Sequence, residues 1–496
     1  MSTLEVFGTR LAPSCTLVLV ALGLSCGGED PPGPNPPPVP PATQLAFTAL
    51  PTTVERDVDF TVDVTIQDAS GGTVSSATNE VTVALGANPG GATLSGTTTM
   101  NAVAGVARFT TLSLDKVATG YTLGATSNTL TGATSPTFDG VFTYATVTAG
   151  TPFTCSLQAS GLAYCWGGNN FGQFGDGSQA SSGDPVAVSG GHVFTFLNTG
   201  EALTCGITTT DETYCWGHNI EGQLGDGTQQ FQTVPTLVAG GLSFASVDPG
   251  SLHTCGLTTS GAAYCWGDNT YGQLGDGTVM DRLTPVAVSG GLTFTTLSTG
   301  WRHTCGVTAN GAAYCWGENV HGQLGDGTSG FTPTTAPVAV TGGLDIASLT
   351  AGNFYTCALT STGVAHCWGD GNLGQLGDGM NDVVVTAPRP VLGGLVFSSI
   401  DAFWYHTCGT TTGNEAYCWG NNLDGQVGDG TQELRNVPTL VAGGHDFAVI
   451  SVGGFHTCGV TSGGAAYCWG ANQSGELGDG TIGNRQLTPV LAKIPS

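Results

Sequence analysis

The feature that most constrains this chain is a cysteine pair, C-x9-C, that occurs seven times. Cys155 pairs in this way with Cys165, Cys205 with Cys215, Cys255 with Cys265, and Cys305 with Cys315. Cys357 with Cys367, Cys408 with Cys418 and Cys458 with Cys468 complete the set. Successive pairs stand 50 to 52 residues apart, while the spacing inside each pair never changes. Such a period marks stacked units, each unable to bury its apolar face alone. Each copy holds a strand such as Phe294-Thr295-Thr296-Leu297-Ser298, a hairpin carrying both cysteines, a Gly-rich loop with Gly-Asp-Gly, and a last strand such as Pro285-Val286-Ala287-Val288. Four short strands per unit and seven units predict a seven-bladed β-propeller over residues 141–496, and an all-β chain.

Register follows by counting. If Thr259-Ser260-Gly261 is a three-residue turn with Gly261 left-handed, Thr258 pairs with Ala262 and Cys255 falls opposite Cys265. Facing residues at roughly 4.5–5.5 Å Cα separation suit a disulfide. The same register sets Trp266 opposite Thr254 and Tyr264 opposite Gly256. Every copy keeps a small residue there; Ser156 and Ala358 replace Gly in the first and fifth. Zinc would need four ligands, and each copy offers two cysteines with no fixed histidine. Seven disulfides are therefore expected, each contributing at most ~2–3 kcal/mol for so short a loop.

The remaining cassette residues read as structure. One tryptophan per copy (Trp166, Trp216, Trp266, Trp316, Trp368, Trp419 and Trp469) is expected to be buried between neighbouring blades. The Gly-Asp-Gly acids (Asp176, Asp226, Asp276, Asp326, Asp378, Asp429 and Asp479) are single, without the spaced acids of a calcium loop, and are expected to cap turns. His253, His303, His406 and His456 share a position with Phe153, Leu203 and Tyr355, which favours packing over a metal ring. With neither a nucleophile-base-acid set nor a phosphate-binding loop, the chain reads as a non-enzyme without metal or cofactor.

The recurring Gly-x-x-His-Thr-Cys-Gly, Tyr-Cys-Trp-Gly-x-Asn and Gly-Gln-Leu-Gly-Asp-Gly-Thr resemble the repeat of the regulator of chromosome condensation family. The resemblance implies the same propeller. Family members include a guanine-nucleotide exchange factor, a plant ultraviolet-B photoreceptor and a secreted bacterial inhibitor of β-lactamase, so fold does not fix function. The photoreceptor's Gly-Trp-Arg-His-Thr stands here once, at 300–304, with an echo at Phe403-Trp404-Tyr405-His406-Thr407. One copy cannot build a multi-tryptophan array. An inhibitor of an extracellular hydrolase is the nearer analogy, and an exchange factor fits an exported acidic chain poorly.

Export is read from the first 26 residues: Arg10 flanks a short apolar run, Leu11 to Leu24, too short for a comfortable span. Leu24-Ser25-Cys26-Gly27 resembles a bacterial lipobox, making Cys26 the expected lipid-attachment site, with simple signal cleavage as the alternative. Residues 27–42 are a Pro-rich tether of extended backbone. Residues 43–140 alternate with period two, as in Phe60 to Ile66 and Val81 to Leu85, and imply a β-sandwich. The pieces Val64-Thr65-Ile66-Gln67-Asp68, Gly71-Gly72-Thr73-Val74, Gly105-Val106-Ala107-Arg108-Phe109 and Gly120-Tyr121-Thr122-Leu123 resemble bacterial immunoglobulin-like domains, which implies a spacer.

The net charge of −26, with 10 basic residues in 496, excludes nucleic acid and an anionic membrane surface as direct partners. Contact with a membrane is expected only through the anchor. The expected role is an exported, cell-envelope or secreted, interaction scaffold for a protein or surface polymer. Following one copy, the Gly-x-x turn before the histidine and the Gly-Asp-Gly loop emerge on one face. The span from Gly-Asp-Gly to the last-strand proline lengthens there from eight residues to ten in the fourth copy (Gly327 to Pro337) and eleven in the fifth (Gly379 to Pro390). Length variation on one face marks a binding face. Trp301, Arg302, Phe331, Arg389, Trp404 and Tyr405 are its candidate binding residues, the alternative being that both tryptophans pack beneath the loops.

Overall fold

The computed structural model describes residues 39–495, so Cys26, the export signal and most of the tether lie outside the described residues. All regular elements in it are strands. From Gln44 to Val141 they form an eight-stranded and a three-stranded sheet around one core, which includes Val62, Val64, Ile66, Val83, Phe109, Tyr121 and Phe138. The alternation expected over Phe60 to Ile66 is blurred in the observed strand Phe60–Gln67, because Asp63 and Thr65 are buried as well. Each has a partner that makes burial tolerable. Arg108, facing Asp63 on the paired strand, grips both carboxylate oxygens at 2.8 and 2.7 Å, and Thr65 Oγ1 lies 2.6 Å from Thr48 Oγ1.

Seven four-stranded sheets follow, each from four consecutive strands hydrogen-bonded in sequence order. The expected register holds in all seven: Cys255 faces Cys265, Thr254 faces Trp266 and Gly256 faces Tyr264. Gly261 has φ 81°, and the Thr258 N–H donates to the Ala262 carbonyl across the turn at 3.0 Å.

All seven expected cysteine pairs are bridged. Cys155 is bonded to Cys165, Cys205 to Cys215, Cys255 to Cys265 and Cys305 to Cys315. Cys357 is bonded to Cys367, Cys408 to Cys418 and Cys458 to Cys468. One detail differs from expectation: the Cα atoms stand 4.0–4.1 Å apart, closer than the 4.5–5.5 Å that facing residues ordinarily keep. The reason lies in the register. Counting from the bonded Thr258 and Ala262, the Cys255 and Cys265 positions form a pair without backbone hydrogen bonds, the nearer of the two kinds, and the bridge draws them together.

The small residue facing the tyrosine has a different cause from the one its register suggested. A Cβ on Gly256 would lie 2.6 Å from the ring of Phe244, which begins the first strand of the same sheet. Phe194, Phe294, Phe397 and Phe447 crowd the corresponding glycines alike. Where the first strand carries Ile346 or Tyr144 instead, the position admits Ala358 or Ser156.

Among the described residues no strand is exchanged between the last sheet and the first. Their seam is closed by Trp166, whose indole N–H donates to the Glu476 carbonyl at 3.0 Å, and by His456 Nε2, 2.7 Å from Thr154 Oγ1. The N-terminal unit adds a clasp. Buried Arg56 donates to the Pro495 carbonyl at 2.6 Å and to Tyr164 Oη at 3.3 Å, with its guanidinium over Phe142. Glu55 accepts the Thr143 N–H. These contacts lie on the side of the hairpin turns, where Gln158 donates to the Arg56 carbonyl, and away from the Gly-Asp-Gly loops.

Peptide mapping without reductant is expected to recover all seven pairs linked within their own repeats; free thiols at these positions would contradict the register. Gly256→Ala should destabilise by about 1–3 kcal/mol through overpacking, read by denaturant unfolding, whereas Ala358→Ser should cost much less.

Candidate functional site

The site is best located by removing what the scaffold consumes. Each cassette tryptophan is wholly buried and donates its indole N–H to one carbonyl of the preceding sheet's Gly-Gln-Leu-Gly loop: Trp216 to Gln173, Trp266 to Gln223, Trp316 to Gln273, all at 2.9 Å. The threonine facing that tryptophan donates to the same oxygen, as Thr254 does to Gln223 at 2.8 Å. Trp368, Trp419 and Trp469 repeat the pattern on Gln323, Gln375 and Gln426. The loop's second glycine makes room, since a Cβ on Gly225 would lie 2.6 Å from Trp266 Nε1.

The recurrent histidines belong to the same joint. Nε2 of His253, His303 and His406 lies 2.9 Å from the threonine hydroxyl of the next sheet. All are buried, which pulls His253 down to about 4 and His303, His406 and His456 to about 3. The loop acids cap turns as expected. Asp276 Oδ1 accepts the Thr278 N–H and hydroxyl at 2.9 and 2.7 Å and the Asn269 amide at 3.1 Å, while Arg282 holds Oδ2. Among the described residues no group of three or more His, Cys, Asp or Glu side chains is placed to hold a metal ion.

One polar feature escaped the sequence reading. The innermost strands end in Thr148, Asn198, Asp248, Ser298, Thr350, Asp401 and Ser451, each one residue before its strand's last, and these line a cavity of about 70 Å³. Most reach to the next sheet: Asp248 Oδ2 accepts the Thr299 N–H at 2.6 Å, Ser298 that of Ala351, Thr350 that of Ala402, and Asp401 that of Val452. Ser451 accepts from Ala149 and Thr148 from Thr199, continuing the ring across the seam. Asn198 faces Pro249, which has no N–H, and instead donates to Asp248 Oδ1 at 2.7 Å. Burial raises Asp248 and Asp401 to about 6. The signal was available: a polar residue recurs two positions before the glycine of the Gly-x-x turn, with Phe403 in that glycine's place in the sixth copy.

What remains is the loop side. The structure brings Trp301 and Arg302 together with Phe354 and Tyr271. Trp301 packs edge-on against Phe354, ring centres 4.9 Å apart, and the Arg302 guanidinium lies 3.8 Å from the Trp301 centre and 4.4 Å from that of Tyr271. Arg302 also reaches Glu318 at 3.7 Å. Trp404 packs edge-on against Phe455 at 4.7 Å, with Tyr405 beside it at 6.2 Å. All are half-buried, with surface left to offer. Phe331 and Arg389 stand apart from this rim. The fourth copy's added residues extend its outer strand, Gly330–Ala339, into a longer hairpin that leaves Phe331 86% exposed. Arg389 braces its own loop, donating to Asp378 at 3.1 Å and Asp382 at 2.6 Å.

Repeated four-stranded sheets joined through tryptophan can be compared with known proteins. The RCC1-like domain model matches residues 120–396, and regulator of chromosome condensation repeats match 397–426, 414–460 and 447–476. The chain belongs to the RCC1-like family. It is all-β and propeller-type, of a protein-interaction scaffold class. The human E3 ubiquitin-protein ligase HERC2 is 36% identical over 100 residues, 20% of this chain and 2% of that protein, so the match covers a small part of that relative. The crystal structure of human WBSCR16 superposes with a TM-score of 0.61 at 18% identity, covering 67% of this chain and 94% of that one. Saccharomyces cerevisiae Prp20p gives 0.61 at 21%, covering 68% and 87%. At such identities the structures speak for the fold alone.

The buried groups set a pH dependence. The four histidines, with folded values below the ordinary ~6.5, contribute stability that is full above that value and lost as pH falls toward 3–4. Asp248 and Asp401, raised to about 6, contribute in the opposite sense: fully below ~4, and lost as pH rises through 6. The histidine shifts are the larger ones among these six groups, so the thermal midpoint should fall as the pH drops from 6.5 to 4. A midpoint that rises over that interval would contradict the burial assignment.

Proposed function

We propose that this chain is an exported interaction scaffold: a seven-bladed propeller that holds a protein or surface polymer on its loop side. An immunoglobulin-like spacer and a lipid-bearing Cys26 would carry it on the cell envelope. The observation that carries the reading is the division of its aromatic residues. The seven cassette tryptophans are consumed by joints between sheets, while Trp301 and Trp404 are held edge-on and half-exposed on one side. Aromatic groups fixed in this way lose little entropy on binding and serve as anchors. The N-terminal unit docks on the opposite, turn side, which supports a tether that leaves the loop side outward.

Inhibition of an extracellular hydrolase is a special case of the same reading, with a hydrolase as the partner. A nucleotide-exchange or ligase role has no support in the site. HERC2's name as a ligase belongs to a protein of which this chain matches 2%.

The test is capture of partners from envelope extracts by the full chain and by its Trp301→Ala, Trp404→Ala double variant. Recovery should drop at least tenfold with the fold intact by circular dichroism. Equal recovery would remove the loop side as the binding surface, and turnover in a broad hydrolase screen would overturn the non-enzymatic reading.

A further inference from the structure

The two aromatic pairs on the loop side are built alike but completed differently. Beside Trp301 and Phe354 the chain supplies its own cation, with Arg302 lying over two rings and 3.7 Å from Glu318. Glu318 is 7% exposed, and its Oε2 has no hydrogen-bond partner. This corner of the molecule therefore shows what an aromatic wall with a buried carboxylate accepts: a cation, held by the ring faces and by charge.

Beside Trp404 and Phe455 the Arg302 position is Tyr405, and among the described residues no guanidinium or ammonium lies over Phe455. Phe455 instead walls an open cavity of about 340 Å³, with Pro152 and Ala471 as its other apolar sides and Asp424 and Glu476 as its acids. Glu476 is the anomaly. The other six copies place Gln173, Gln223, Gln273, Gln323, Gln375 and Gln426 at its position. The joint between sheets uses only the backbone carbonyl there, which accepts Trp166 and Thr154 as in every copy. The joint thus gives no reason for a charge. The carboxylate is 2% exposed and accepts the Gln473 and Ser474 N–H groups at 3.1 and 2.7 Å, with no cation paired to it among the described residues. Burial raises its pKa, a shift that a cation beside it would reverse. Asp424 has only Arg485, at 3.5 Å and 43% exposed.

We propose that this pocket binds a protonated primary amine, the side chain of a lysine on a basic protein partner. The ammonium would sit between Glu476 and Asp424, and the methylene stem would lie along Phe455 and Pro152. An ammonium suits the site better than a guanidinium. The first pair shows a guanidinium taking two ring faces, whereas here one ring and a proline wall flank an alkyl stem that leads to the buried Glu476. The chain's charge of −26 would steer such a partner in and repel anions. This assignment rests on the loop-side reading and narrows it to one chemistry.

Calorimetry of the full chain with tetralysine, and with its Nε-acetylated counterpart, tests it. Glu476→Gln installs the residue native to the other six copies, so its thermal midpoint should match the parent's. The expected result is binding of tetralysine but not of the acetylated peptide, weakened at least tenfold by Glu476→Gln and by Phe455→Ala. Glu212→Gln, a charge removed on the turn side, should leave it unchanged. No binding, equal affinity after Glu476→Gln, or preference for an oligosaccharide probe would overturn the proposal. If tetralysine fails while the double tryptophan variant still loses its partner, this pocket falls and the loop-side reading stands.

Discussion

The structure depends on one carbonyl per sheet. The oxygen of the Gly-Gln-Leu-Gly loop accepts a buried indole N–H and a threonine hydroxyl from the next sheet, and a histidine or other side chain closes over that threonine. A buried carbonyl has two lone pairs, and here both are satisfied across a joint, so neither sheet can shift without exposing an orphan donor. At the seam the same joint forms between Trp166 and Glu476, with Glu476 in glutamine's place, because the bond uses the backbone. The disulfides act at a different level. Each staples a hairpin that is already local, and fixes the register that puts tryptophan and threonine on the same carbonyl.

That division of labour explains where the molecule can interact. Cassette residues are bound into joints, caps and hairpins, so a surface ligand meets only what varies between copies. On the loop side the variation falls in the two residues of the Gly-x-x turn, in the residue after Trp-Gly and in loop positions such as those of Tyr271 and Asp424. Trp301, Arg302, Phe354, Glu318, Trp404, Tyr405 and Phe455 all occupy such positions. The turn side between the last and first sheets is occupied by Glu55 and Arg56 of the N-terminal unit.

Much of this was legible in the sequence because the repeats test one another. The C-x9-C spacing with a glycine turn yields register, and register yields the disulfides and the facing of Trp266 and Thr254. The cause of Gly256 was not legible, because the crowding ring of Phe244 comes from a neighbouring strand whose pairing the hairpin count does not include. The fourth copy's added residues read as a loop but extend a strand, since one extra pair, Asn319 with Gly330, satisfies backbone groups a loop would leave to water. Arg389 looked free because its acids, Asp378 and Asp382, lie 11 and 7 residues away across a loop. The polar ring of Thr148 to Ser451 was missed because its residues differ in type and share only a position.

The most direct test of the account is hydrogen exchange at the nine tryptophan indoles, followed by NMR on the oxidised full chain. Seven should be strongly and similarly protected, Trp166 among them, and two, Trp301 and Trp404, should exchange rapidly. Fast exchange at Trp166 alone would show the seam open, and fast exchange at several cassette tryptophans would contradict the shared-carbonyl joint on which everything else rests.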